Sequence, residues 1–385
     1  VPIYLDYNAT TPVDPAVYQA MLPFLAEVYG NPSSSHAFGV TAAAAVTRAR
    51  GQVAALLGCG PDEVVFTGCA SESNNLAIKG TAFRLREKGR HIITTAVEHP
   101  AVLNTCRYLS QEFGFDVTVL PVGQDGRVTA AAVAEVLRPD TVLVSIMHAQ
   151  NETGVLQPVA EIGRLCRERG VLFHVDAAQS VGKIPVHVDE LGCDLLTVAG
   201  HKLYAPKGVG ALYVRTGVQL HPLIHGAGYE GGRRAGTANV AFMVSLGEAC
   251  DIALTHMGDW ERVRALRDQL HARLAAGLDV VLNGHETERL PNTLNVCVPG
   301  VVGNDLLAAV PEVLASTGSA CHAGVSKPSD VLLAMGVEPS LALGALRLSL
   351  GRYTTADDVE KAATQLVAAG RRCRQSEKVH TSDSR

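Results

Sequence analysis

An α/β fold with a mostly parallel sheet, followed by a smaller α+β domain, is what this 385-residue chain predicts. Three observations carry that prediction. From Val64 onward, short β-branched runs alternate with helical segments; polar residues gather where the strand-like runs end; and the pattern changes near residues 256–259, beyond which long helices dominate. Taken in order, Asp14-Pro15 opens a helix with proline in its first turn, and Thr41 caps an Ala-rich helix that runs to Leu57 and stops at Gly58. Residues 64–67 read as a strand, 71–88 as a helix ending before Gly89, 91–97 as a strand and 101–113 as a helix. Residues 116–122, 141–147 and 171–175 are further strands, with 158–169 helical between the last two, and 195–199 is another apolar run. Such βαβ alternation implies parallel strands covered on both faces. Helix 260–278, strand 292–298, helix 304–309, the small-residue stretch 317–324 and a final helix 355–373 form the second unit. The predicted boundaries are 14–256 for the large domain and 1–13 with 257–374 for the small one, leaving 375–385 as a polar, mobile tail.

Composition narrows the function. At 47% hydrophobic residues the chain can bury a full core. A net charge of −5 argues against a polyanion binder, so no direct nucleic-acid ligand is expected. No apolar stretch reaches the ~18 residues of a membrane span, and Val1-Pro2-Ile3-Tyr4-Leu5-Asp6 lacks the features of a secretory leader, so a cytoplasmic location is expected. The nine cysteines are scattered, odd in number and never spaced C-x-x-C, which suits reduced thiols better than disulfides or a zinc site, and no metal is expected.

The chemistry centres on Gly200-His201-Lys202, 26 residues after Asp176, each just beyond a strand-like run. A lysine amine can form a Schiff base, and a carboxylate can keep a pyridine nitrogen protonated, which together are the requirements for pyridoxal phosphate. Lys207, in Ala205-Pro206-Lys207-Gly208, is the rival amine, but its setting reads as a solvated turn. Upstream, Thr67-Gly68-Cys69-Ala70-Ser71 is strand, turn and helix start, an arrangement that aims N–H groups at an anion, with Ser71 as the helix cap and a phosphate donor. The plainer reading of Ser71 is an ordinary cap. His99, Asn151 and Gln179 also follow strands, at the edge where open α/β sheets bind ligands, although a lone histidine is more often structural. Arg347 lies inside an apolar run, where either a bound carboxylate or an internal Asp or Glu must pair with it. Cys321, in Thr317-Gly318-Ser319-Ala320-Cys321-His322-Ala323-Gly324, is a thiol set among small residues, unlike the other cysteines, which default to core filler. The first strand turns carry no G-x-G-x-x-G, so a nicotinamide enzyme is not expected.

With these residues assembled, the chain resembles the NifS/IscS-like cysteine desulfurases. The likeness runs from Tyr4-Leu5-Asp6-Tyr7-Asn8-Ala9-Thr10-Thr11-Pro12 through Glu72-Ser73-Asn74-Asn75, Asn151-Glu152-Thr153-Gly154, Gly200-His201-Lys202, Arg234-Ala235-Gly236-Thr237 and Gly318-Ser319-Ala320-Cys321 to Arg347-Leu348-Ser349. The resemblance implies a fold-type I pyridoxal phosphate enzyme with a seven-stranded sheet, active as a homodimer. Such an enzyme converts L-cysteine to L-alanine, keeps the sulfur as a persulfide and hands it to an acceptor protein. It further implies that Lys202 bonds the cofactor, His99 stacks on the ring and moves protons, Asp176 pairs with the ring nitrogen and Gln179 contacts the ring hydroxyl. Ala70, Ser71 and His201 would hold the phosphate, with Thr237 supplied by the partner subunit; Asn151 and Arg347 would hold the substrate carboxylate; and Cys321 would take the sulfur. Ala199 stands where that family usually has a phosphate-binding serine, Cys69 adds a thiol beside the cofactor, and His322-Ala323-Gly324 replaces small hydroxylated residues. Those last residues and the Ala- and Arg-rich, Lys-poor composition suggest a dedicated bacterial role such as DNA phosphorothioation, beside iron–sulfur assembly or tRNA thiolation. A selenocysteine lyase and a catalytically silent sulfur-transfer scaffold are the competing readings.

Overall fold

The computed structural model describes residues 2–318 and 327–382, and the strands among them form three sheets. In chain order these strands are β1 (Ile3–Tyr4), β2 (Val64–Thr67), β3 (His91–Thr95), β4 (Asp116–Leu120), β5 (Thr141–Met147), β6 (Leu172–Asp176), β7 (Leu195–Ala199), β8 (Gly210–Val214), β9 (Val281–Leu282), β10 (Thr293–Cys297), β11 (Val313–Leu314) and β12 (Ala345–Ser349). The large sheet has the expected seven strands, in the order β2-β8-β7-β6-β5-β3-β4. Only β8 runs against its neighbours; the remaining pairs are parallel. Because β8 is antiparallel to both β2 and β7, those two share a direction, and the carboxyl ends of β2, β3, β5, β6 and β7 open at one edge. Every residue of β3, β5 and β7 is buried, the condition of strands covered on both faces.

The Ala-rich helix differs from its predicted start. It spans Ala37–Leu57, with His36 at the cap, where the imidazole Nδ1 accepts from Gly39 N at 3.3 Å. Thr41 lies inside the helix, its hydroxyl donating back to Ala37 O at 2.9 Å. A histidine ring can satisfy a first-turn N–H as a threonine would, which allows an extra turn before Thr41. This helix packs against Val240–Thr255 so closely that a Cβ on Gly247 would sit 2.6 Å from Ala49 Cα, which is why small residues line both.

A second core gathers Ile3 and Leu5 with Trp260, Leu270, Leu294, Leu346 and Leu366. The amino-terminal residues therefore pack with elements that lie more than 250 positions later, and β12, β10 and β9 form an antiparallel sheet over them. Trp260 Nε1 donates to Gly182 O at 2.6 Å and ties this core to the large sheet's loops. The final helix spans Ala356–Ser382, running past Cys373 into the segment expected to be a tail, since neither proline nor glycine stands there to stop it. Among the described residues no single helix is long and apolar enough to cross a membrane, and no cluster of His, Cys, Asp or Glu is placed to hold a metal. The eight described cysteines are free. Burial pushes the thiols of Cys106 and Cys166 up to about 12, so they act as inert core residues.

Candidate active site

A cavity of about 410 Å³ lies at the carboxyl edge of the large sheet, and residues from successive strand ends line it. β7 ends at Ala199 and continues into a single 3₁₀ turn, Gly200–Lys202. The turn closes through Tyr204, whose φ of +64° is costly for an aromatic residue, on the order of 1–3 kcal/mol. Packing holds it there: its N–H donates to Thr11 Oγ1 at 2.9 Å and its hydroxyl accepts from Arg352 N at 2.8 Å. Lys202 is thereby aimed into the cavity, where Nζ donates to the carbonyls of Asn8 and Ala9. Burial, and then the charge of Arg347, lowers its pKa to about 8, with Asp6 and Asp176 opposing. Lys207 is exposed and does not line the cavity. A pKa near 8 makes an amine roughly 10% neutral at about pH 7 and 90% at about pH 9. Growth of the visible band after pyridoxal phosphate is added to cofactor-free protein should accordingly speed up about tenfold over that interval in stopped-flow absorbance, and a flat profile would contradict the shift.

His99 caps the helix Pro100–Phe113, with Nδ1 accepting from Ala101 N at 3.1 Å. Nδ1 must be unprotonated to accept, so the neutral ring carries its hydrogen on Nε2. Much of the ring faces open cavity space, yet desolvation still lowers its pKa, Asp176 raising it and Lys202 lowering it further. Asp176, at the end of β6, is 5% exposed; Oδ2 accepts from Asn74 Nδ2 at 2.7 Å and Oδ1 from Ala178 N at 3.0 Å. Among the described residues no cation pairs with this carboxylate. A buried anion held only by neutral donors suits a protonated ring nitrogen.

Beyond β2 the chain turns at Gly68, and the helix Ala70–Leu85 begins with Cys69 at its cap and no side-chain capping bond. Ser71 is thus not the cap: it sits in the first turn, exposed and lining the cavity, with Ala70 beside it. Gly68 N is already taken by Glu72 Oε2 at 2.7 Å, so the open anion position falls at the first-turn N–H groups. His201 lines the same space, its Nδ1 within 3.1 Å of Thr10 Oγ1, and burial followed by the charge of Lys202 lowers its pKa to about 4. Ala199 is buried and offers no hydroxyl, and Cys69 is exposed at the cavity wall rather than packed as core.

Arg347, 7% exposed on β12, lines the cavity and meets an internal acid, one of the two sequence alternatives. Its Nη2 pairs with Asp6 at 2.8 Å, while Nε is buried without a partner. Asn151 lines the cavity beside it, and its carbonyl accepts from Asn8 Nδ2 at 3.1 Å. Gln179 donates from Nε2 to Asn8 O at 3.0 Å and accepts at Oε1 from Lys183 at 2.8 Å. Thr237 is exposed and does not line this chain's own cavity; its loop is tied down through an Arg234–Glu72 ion pair of 3.0 Å. Cys321 lies outside the described residues. On either side of its segment, Ser329 donates to Glu152 Oε2 at 2.6 Å, and a Cβ on Gly318 would come within 2.6 Å of the same oxygen, so both stems meet one buried carboxylate. Sequence reasoning missed the individual parts played by Asn8, Asn74, Asp6 and Lys183. Asn74, one helical turn after Ser71, was within reach of spacing arguments; Asn8 was not, because nothing local reveals contacts across 170–285 positions.

The described donors fit pyridoxal phosphate: one low-pKa amine, one uncompensated carboxylate and one open helix start share a cavity. Comparison with known proteins agrees. The model for aminotransferase class-V matches residues 3–362. The chain is 48% identical over 361 residues to cysteine desulfurase IscS of Dictyoglomus turgidum, covering 93% of this chain and 91% of that protein. Among solved structures, a NifS-like protein superposes with a TM-score of 0.90 at 39% identity, covering 96% of this chain and 99% of its own. SspA in complex with cysteine gives 0.81 at 39%, covering 91% and 99%. DndA from Streptomyces lividans gives 0.77 at 39%, covering 89% and 97%. The chain belongs to the aminotransferase class-V family, as one of its pyridoxal-phosphate-dependent NifS/IscS-like cysteine desulfurases.

Proposed function

We propose that this chain takes sulfur from L-cysteine, releases L-alanine and passes the sulfur, through a persulfide on Cys321, to an acceptor protein. The observation that carries the reading is the Lys202 amine, its pKa lowered to about 8, sharing one cavity with an Asp176 carboxylate that pairs with no cation among the described residues. Pyridoxal phosphate bound here supplies an electron sink for the bonds at the substrate Cα. Lys202 would join its aldehyde carbon, Asp176 would hold the ring nitrogen, Gln179 the ring oxygen, and Ala70 N–H, Ser71 and His201 the phosphate. Asn151 and Arg347 bind the substrate carboxylate, with Asp6 holding the guanidinium at Nη2. Lys202 Nζ, partly neutral near pH 8, takes the Cα proton, and His99, whose Nδ1 is engaged, delivers a proton from Nε2. The Cys321 thiol gives up its proton as its S–S bond forms and the substrate Cβ–S bond breaks; one proton added at Cβ and one returned to Cα by Lys202 complete alanine. Thr237, exposed on its own chain, completes the phosphate site of a second copy.

Alanine and sulfide released in equal amounts from cysteine, in the presence of a reducing thiol, would support the activity. In Cys321→Ser the visible band should remain while alanine formation falls by more than about 100-fold. Unchanged turnover in that variant would overturn the persulfide route. Selenocysteine turnover that persists in the same variant would point to a lyase instead.

A further inference from the structure

Lys183 is a buried lysine that the desulfurase reading leaves without a task. It is 2% exposed, and Nζ donates to Gln179 Oε1 at 2.8 Å and to Asn8 Oδ1 at 3.4 Å. The charged groups facing it are Lys202, on the turn after β7, and Arg347, on β12. No carboxylate hydrogen-bonds it among the described residues. An amine buried beside two cations is an unfavourable occupant for this space, and a methionine would fill it without that cost. What methionine lacks is a donor for Gln179.

The amide of Gln179 is held at both ends. Asn8 O can only accept, so Nε2 must face it, while Oε1 needs a donor, and Lys183 supplies one. With one bond on Oε1 from outside the cavity lining and one N–H of Nε2 given to Asn8 O, the second N–H of Nε2 is the donor left for the cavity. We propose that Lys183 is a positioning residue that acts through Gln179, holding its amide in the orientation that offers the ring oxygen of bound pyridoxal phosphate an N–H of Nε2. The inference rests on the cofactor reading of the cavity. Burial, and then Lys202 and Arg347, hold the Lys183 pKa well below the ordinary lysine value, and a neutral amine keeps the hydrogens this role needs.

An N–H given to an anionic ring oxygen weakens that oxygen's hold on the proton it shares with the neighbouring nitrogen. The pH midpoint of the visible band reads this directly. In cofactor-loaded Lys183→Met the midpoint should rise by about one unit, the size of one lost hydrogen bond. Gln179→Ala should raise it similarly, and adding Lys183→Met in that background should change nothing further. A lysine acting only through space would shift the midpoint with or without Gln179. A wild-type midpoint in Lys183→Met, or additive shifts in the double variant, would overturn the proposal. Should Lys183→Met not fold, Gln179→Ala still decides, because a downward shift or none contradicts donation by Nε2. Absence of a visible band in the wild-type protein would instead sink the cofactor reading itself.

Discussion

Lys202→Ala is expected to leave the protein folded but colourless after incubation with pyridoxal phosphate, and to reduce alanine formation from cysteine by at least about 10³-fold. The fold should survive because Nζ touches only the carbonyls of Asn8 and Ala9, and Asn8 O keeps its bond from Gln179. The loss should be near total because no other amine among the described residues lines the cavity. Lys207 is exposed outside the cavity, and Lys183 is engaged by Gln179 and Asn8. Borohydride reduction followed by peptide mass mapping checks the assignment. Label on Lys202 in the wild type and none in the variant is the expected pair of results. Label transferred undiminished to Lys183 or Lys207 would show that the amine had been misassigned.

Asp176→Asn should separate charge from shape. The carboxylate accepts from Asn74 Nδ2 and from Ala178 N, and Asn74 Oδ1 is buried with no partner of its own. An asparagine at 176 can keep the bond from Ala178 and turn its amide nitrogen toward Asn74. A flip of the Asn74 amide then presents the unpartnered oxygen as acceptor, with no change in volume. Stability should therefore change by no more than about 1 kcal/mol. Activity should fall roughly 10²- to 10³-fold, about 3–4 kcal/mol, because the anion opposite the ring nitrogen is gone. Thermal melts of cofactor-free protein set beside kcat make the comparison. A fall of less than tenfold would remove Asp176 from the electron-sink role.

Much of this molecule was legible in one dimension. Short apolar, β-branched runs marked β2, β3, β5, β6 and β7, and polar residues placed just after them had to meet at one sheet edge, since parallel strands share their carboxyl ends. That logic reached Lys202, Asp176, His99 and Gln179 before any contact was known. Helix starts were harder. His36 and Cys69 occupy caps assigned to Thr41 and Ser71, because a ring nitrogen or a ligand can serve first-turn N–H groups that sequence rules allot to a hydroxyl.

Residue type and strand order alone determined the chemistry: an amine, a carboxylate and an anion-binding helix start at one edge of a parallel sheet. The tertiary structure decided how those groups are held. Asn8 reaches Lys202, Gln179 and Lys183 only because Ile3 and Leu5 bury themselves in a core built mainly after residue 260. Arg347 meets Asp6 across more than 300 positions by the same packing. The physical reason is that alternation and propensity are local properties of a chain, whereas desolvation and hydrogen-bond pairing depend on neighbours that only the collapse of a shared apolar core brings within 3 or 4 Å.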